Sequence, residues 1–189
     1  MKTIVTKAEM AEWIKDISND GVMMTISEPH ARSKYLNLEL SHMEPVVNRI
    51  IELASKSVFG KHKRFDALNG IVVCEHVKSQ PHFHIIFQKP ADKEFENFKY
   101  KLTKLADRLC DSSFEFNLTD CYLPARIKKA LTKPCYDRFV KVTNAHECTG
   151  SYLTKEYAHY YLLDGRKLVM KESQIDLYVD FNRNEKDDF

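Results

Sequence analysis

Hydrophobic positions along the chain fall into two rhythms, one helical and one of strands. Residues 6–19 place Met10, Trp13, Ile14 and Ile17 at helical spacing, and Asn19-Asp20-Gly21 breaks the pattern. Val22-Met23-Met24-Thr25-Ile26-Ser27 then reads as a strand, ended by Glu28-Pro29. From 39 to 57, Leu40, Met43, Val46, Val47, Ile50, Ile51 and Leu53 predict a long helix. Pro45 suits a first helical turn better than an interior, so the helix proper is expected to begin near it. A basic loop follows, with Gly60-Lys61-His62-Lys63-Arg64 at its heart, fit for solvent or for a phosphate contact.

The middle of the chain predicts an antiparallel hairpin. Residues 68–77 and 81–87 read as strands, with Lys78-Ser79-Gln80 turning the chain between them. A charged helix is expected at 92–110, with Phe95, Phe98, Leu102, Leu105 and Leu109 inward. Phe114, Phe116 and Leu118 alternate with polar residues in a strand at 113–119. A short basic helix at 124–131 and a strand at 137–143 come next. Residues 150–163 read as one more helix, closed by Asp164-Gly165, and the tail holds strand-like segments at 168–170 and 175–179.

This order predicts one α+β domain over 1–189, with a core at about 20–164 and a C-terminal tail from about 165 to 189. The expected architecture is an antiparallel sheet of about five strands with helices mainly on one face, on a ferredoxin-like or RNA-recognition-like plan. There is no internal repeat and no dividing linker. Apolar content of 43% and aromatic content of 11% suit an ordinary globular core. Lys and Arg number 29 against 27 Asp and Glu, so any basic surface must be local.

The five cysteines, Cys74, Cys110, Cys121, Cys135 and Cys148, form no Cys-x-x-Cys pair, which suits reduced thiols. The first ten residues lack the apolar run of a signal peptide, and no stretch is long and apolar enough to span a bilayer. The expected location is the cytoplasm, or a host-cell interior for a viral product, with no membrane partner.

The chemistry gathers on the predicted hairpin. In Pro81-His82-Phe83-His84-Ile85-Ile86-Phe87 the two histidines share one face of a strand, while Phe83, Ile85 and Phe87 face a core. Two neutral imidazoles on a rigid strand make half a site for a divalent metal. A two-residue turn at Lys78-Ser79 sets Glu75 directly across from His82, a third ligand. A register shift of one residue sets His76 there instead. On the predicted helix from 150, Tyr152, Lys155 and Glu156 share a face.

In chain order stand a Thr-containing strand (Met24-Thr25-Ile26-Ser27), Glu75, the His82-Phe83-His84 pair, and Tyr152-Leu153-Thr154-Lys155-Glu156. This series resembles the three motifs of the HUH-endonuclease superfamily, specifically its rolling-circle replication initiators with a single catalytic tyrosine. The resemblance runs from about Met23 to Leu163, with close identity at the two short motifs around the histidines and the tyrosine. Relaxases of the same superfamily place their tyrosine ahead of the histidines. The first motif, at Thr25 and Ser27, matches only weakly.

The resemblance implies metal-dependent nicking and joining of single-stranded DNA at a replication origin of a plasmid or virus. Tyr152 would be the nucleophile, leaving a 5′-phosphotyrosine and a free 3′ hydroxyl, with Lys155 in a supporting role. His82, His84 and Glu75 would hold Mn²⁺ or Mg²⁺ to polarise the phosphate. Tyr157 lies roughly 140° round the predicted helix from Tyr152, so Tyr157 or Tyr160 reads as packing against the sheet, and the roles of Tyr157, Tyr160 and Tyr161 stay open. Arg126, Lys128 and Lys129 form a basic patch that would guide a DNA strand, or a solvated helix face.

His30, His42, His62, His146 and His159 lack partner spacing and read as surface or cap residues. With no Gly-x-x-x-x-Gly-Lys loop, a separate helicase and DNA polymerase would be the partners. Two alternatives remain: a non-catalytic DNA-binding or interaction module of the same fold, and a single-tyrosine transposase of the same superfamily.

Overall fold

The structure is a computed structural model that describes residues 3–27, 39–60, 68–75, 81–111, 123–131, 139–146, 148–154, 159–164, 167–168 and 177–180. The first half of the chain holds β1 (Thr3–Thr6), α1 (Lys7–Ser18), β2 (Gly21–Ile26), α2 (Leu40–Phe59), β3 (Gly70–Glu75) and β4 (His82–Gln88). The second half holds α3 (Phe95–Leu109), α4 (Ala125–Leu131), β5 (Val140–Asn144), α5 (Thr149–Leu153), β6 (His159–Asp164), β7 (Lys167–Leu168) and β8 (Leu177–Asp180).

Six of the described strands form one sheet in the order β5-β2-β4-β3-β6-β7. Every neighbouring pair in it is antiparallel. β1, which no sequence pattern announces, pairs in parallel with β8 in a separate two-stranded ribbon. The predicted α+β mixture with an antiparallel sheet and flanking helices therefore stands.

The hairpin strands sit in the middle because they are apolar on both faces. On one face, Val22, Met24, Ile26, Val72, Cys74, Phe83, Ile85, Phe87 and Val140 are buried under Val46, Val47 and Ile50 of α2 and Phe98 and Leu102 of α3. On the other, Ile71, Val73 and Ile86 lie under Met10 and Ile14 of α1 and Leu153 of α5. Helices thus cover both faces rather than mainly one. A strand with large side chains on both sides requires it, since each buried Phe, Ile or Val is worth about 1.5–3 kcal/mol.

α1 ends as the sequence predicts. Asp20 adopts the left-handed conformation at φ 56°, which a short polar side chain tolerates, and Gly21 opens β2. α2 begins at Leu40, ahead of Pro45, which lies inside the helix. Its first turn is held by His42, whose Nδ1 accepts the Glu39 backbone N–H at 3.0 Å, so His42 is a cap residue as expected.

The predicted helix over 150–163 is corrected. α5 stops at Leu153, and His159–Asp164 is a strand paired with β3. Thr154 is fully buried, and its hydroxyl donates to the Gly150 carbonyl at 2.8 Å at the end of the helix. The short run His159-Tyr160-Tyr161-Leu162-Leu163 has no periodicity that separates helix from strand. The free edge of β3 selects the strand. The strand predicted at 137–143 appears as β5, while the one predicted at 113–119 lies outside the described residues.

Among the described residues no helix is long and apolar enough to cross a membrane. Cys74, Cys110 and Cys148 are free thiols.

α5 is fixed to α1 by the absence of a side chain. A Cβ built on Gly150 would meet the Ala11 carbonyl oxygen at 2.1 Å, inside any tolerable contact. The substitution Gly150→Ala is expected to cost about 1–3 kcal/mol by forcing the two helices apart. Urea denaturation of the variant beside the parent checks it, and an unchanged midpoint would refute the close approach.

Candidate active site at the polar end of the sheet

The face of the sheet under α1 changes character along its strands. At one end, Met23, Ile86, Ile71 and Val73 pack with Met10, Ile14 and Leu153. Two residues further on in β2 and β4, the same face carries Thr25 and His84, with Glu75 at the end of β3. Side chains alternate strictly in a strand, so this succession follows directly from register.

The register is the one the two-residue turn predicts. Glu75 pairs with His82, and Thr25 pairs with His84 across the other edge of β4. Between the two possible third ligands, the pairing therefore selects Glu75 as the residue facing His82. His76 lies outside the described residues.

His84 is the hub. It is buried, and its Nε2 lies 3.1 Å from Glu75 Oε2 while its Nδ1 lies 3.1 Å from Thr25 Oγ1. Glu75 is only 3% exposed, and its second oxygen, Oε1, is buried with no hydrogen-bond partner among the described residues. An unpartnered buried carboxylate oxygen costs on the order of 1–3 kcal/mol, which normal core design avoids. His82, partly exposed, completes the row.

Tyr152 reaches the same place from α5. Leu153 buries itself beneath α1, which turns the neighbouring Tyr152 outward. Its ring meets His84 edge to face, with centroids 6.0 Å apart and planes at 90°. Two large hydrophobic side chains stand exposed among the described residues. Tyr100 of α3 has Lys104 Nζ 5.5 Å from its ring centroid, whereas Tyr152, 47% exposed, borders a buried polar network.

Several sequence-predicted residues lie outside the described residues or away from the tyrosine helix. Lys155 lies outside the described residues, as do Glu156 and Tyr157. The helical face that Lys155 was expected to share with Tyr152 is not continued by α5, which ends at Leu153. Tyr160 and Tyr161 belong to β6, opposite Val73 and Val72, and not to the tyrosine helix. Arg126, Lys128 and Lys129 are on α4, whose Ile127 packs against the α2/α3 core, in the layer opposite α5.

One exposed cation that sequence reasoning missed joins the row. Lys141 of β5 pairs with Thr25, so Lys141, Thr25 and His84 stand abreast on three adjacent strands. No local signal marks it, because the pairing of β5 with β2 joins segments far apart in the chain.

The donor set fits a divalent cation in part. Two ligands bound side by side at about 2.1 Å in octahedral geometry lie close to 3 Å apart, and the His84–Glu75 contact is 3.1 Å. The unpartnered Glu75 oxygen adds an available lone pair, and Thr25 orients the imidazole from behind, as outer-shell partners do. Among the described residues, however, no three His, Cys, Asp or Glu side chains are gathered closely enough to hold an ion. His82 shares the face by register and is the residue that would have to join the pair.

Cys74, next to Glu75 in sequence, faces the opposite core. Its thiol is pushed up to about 12, by burial first and then by the charges of Glu44 and Glu75. It stays protonated at neutral pH and is no nucleophile. Alkylation of the native protein at pH 8 is expected to modify the exposed Cys148 and to spare Cys74. Peptide mapping by mass spectrometry checks this, and comparable labelling of both would contradict the burial of Cys74.

No family model, curated protein or solved structure matches the chain.

Proposed function

We propose that the protein is a metal-dependent endonuclease and strand-joining enzyme for single-stranded DNA, acting at a replication origin of a plasmid or viral genome. One observation carries the reading: Tyr152, His84, Glu75 and Thr25, from four separate elements, meet at one end of one sheet. A tyrosine kept for core packing would have its ring buried. Here a half-exposed phenol borders a histidine–carboxylate pair whose second oxygen is unpartnered. The antiparallel sheet with its central hairpin agrees with a ferredoxin-like or RNA-recognition-like plan of the HUH type.

In this reading the Tyr152 oxygen attacks the scissile phosphorus in line with the leaving O3′. The new bond is P–Oη, the bond broken is P–O3′, the phenolic proton passes to solvent, and O3′ takes up a proton. The DNA keeps a 5′-phosphotyrosine, so the bond energy is retained for rejoining by the reverse step. When bound, Mn²⁺ or Mg²⁺ supplies Lewis-acid polarisation of the phosphate; His82, His84 and Glu75 would hold it. Lys155 would stabilise the charge that develops on the phosphate oxygens.

The exposure of Tyr152 suits a polymeric substrate, which must cross the site rather than enter a pocket. Lys141, abreast of His84 on the same face, would contact a phosphate of the strand lying across the sheet. Arg126, Lys128 and Lys129 would offer a second contact on the other layer. Strand separation and synthesis would fall to a separate helicase and polymerase, inside the cell that carries the replicon.

The reading is tested with single-stranded oligonucleotides tiled across the DNA molecule that encodes the protein, with Mn²⁺ or with EDTA. A protein–DNA adduct should survive denaturing electrophoresis, require the metal, and fall by roughly 10³-fold or more in Tyr152→Phe. An adduct that persists in the variant transfers the nucleophile to Tyr157, Tyr160 or Tyr161. Absence of any adduct despite bound metal supports the non-catalytic binding module.

A second measurement concerns the path of the strand. The substitution Lys141→Ala should weaken single-stranded DNA binding and reduce the slope of log K against log salt by about 0.7. Titration by fluorescence anisotropy at several salt concentrations checks it. An unchanged slope would remove Lys141 from the path.

A further inference from the structure

Glu75 and Thr25, which meet the two ring nitrogens of His84, differ in what they can do. An ionised carboxylate only accepts hydrogen bonds, so a neutral His84 ring makes the 3.1 Å contact with such a Glu75 Oε2 when its hydrogen is on Nε2. A neutral imidazole then has its lone pair on Nδ1, and the Thr25 hydroxyl, 3.1 Å away, donates to it. This is the ring without a cation. To bind a cation through Nε2, the same neutral ring must carry its hydrogen on Nδ1 instead. The proton changes nitrogen, and none is gained or lost.

A group able only to donate, or only to accept, at Nδ1 would oppose one of these two states. A hydroxyl serves both by rotating about a single bond, and it contributes more when it accepts from the Nδ1–H of a cation-bound ring, because that hydrogen bond is charge-assisted. Thr25 is well placed for this. It is the register partner of His84, on a strand flanked by β4 and β5, and its branched side chain has few rotamers. The next hydroxyl in the chain, Ser27 Oγ just past β2, donates to the Phe139 carbonyl at 3.3 Å and is already engaged.

We propose that Thr25 is a positioning residue of the metal site: its hydroxyl reverses the hydrogen bond at His84 Nδ1, so that the imidazole exchanges tautomers on cation uptake while its ring stays in place. This rests on the cation-binding reading of His84 and Glu75 given above. It explains why the contact to His84 comes from a hydroxyl and not from a carboxylate or a backbone carbonyl. A carboxylate at Thr25 would lock the Nδ1–H form and conflict with the Glu75 contact.

The test measures binding rather than turnover. Mn²⁺ affinity is read by the electron paramagnetic resonance signal of the free ion, for the parent, Thr25→Ser, Thr25→Val and Thr25→Ala. Thermal unfolding shows that each variant folds. Thr25→Ser should stay within about threefold of the parent, and Thr25→Val and Thr25→Ala should bind roughly 10–100-fold more weakly. In ¹⁵N-labelled protein, His84 should show the Nε2–H tautomer without cation and the Nδ1–H tautomer with saturating Mg²⁺.

Parent-like affinity in both hydroxyl-free variants would overturn the proposal. So would a serine variant as weak as valine, because shape rather than the hydroxyl would then matter. An unchanged tautomer on saturation would overturn the exchange. If the parent binds neither Mn²⁺ nor Mg²⁺, the metal reading falls and the role of Thr25 falls with it. The Tyr152 adduct assay, run with EDTA, then reports separately whether phosphotyrosine formation survives.

Discussion

The pairing of β3 with β4 is the constraint on which the rest of the molecule depends. With Glu75 opposite His82, the trio Phe83, Ile85 and Phe87 enters the α2/α3 core, and Ile86 enters the α1 core. A slip of one residue would reverse every side chain of β4. Three large apolar groups would leave the deeper core, and the histidines would replace them there. The hydrophobic effect therefore enforces the register, and the polar site follows as its by-product.

That enforcement holds in place an arrangement that is poor for stability alone. A nearly buried carboxylate keeps one oxygen without a partner, beside an imidazole with both nitrogens engaged. Two packed layers around it supply the surplus that makes this tolerable. Tyr152 is delivered to the same spot by equally general means: Leu153 seeks the core beneath α1, and Gly150 lets α5 approach the Ala11 carbonyl.

Covering both faces of the sheet also divides the surface. The tyrosine helix belongs with α1, while the basic α4 is anchored through Ile127 to the α2/α3 layer. Charge that looks contiguous in a list of residues is thus distributed over two layers. The cation abreast of the hub is Lys141, on β5.

Much of this was legible in the chain. The period-two alternation around His82 and His84, with a short turn before it, announced the hairpin and narrowed the residue opposite His82 to Glu75 or His76; the strand pairing selected Glu75. Helical periodicity located α1, α2 and α3 for the same local reason. The segment after Tyr152 was not legible. His159-Tyr160-Tyr161-Leu162-Leu163 suits helix or strand alike, and only the open edge of β3 made it a strand. The contact of Thr25 with His84 and the position of Lys141 were likewise invisible, since each arises from pairing between strands distant in sequence. Local rules act over a few residues and can be read directly; hydrogen-bond partners across a sheet exist only once the chain has closed on itself.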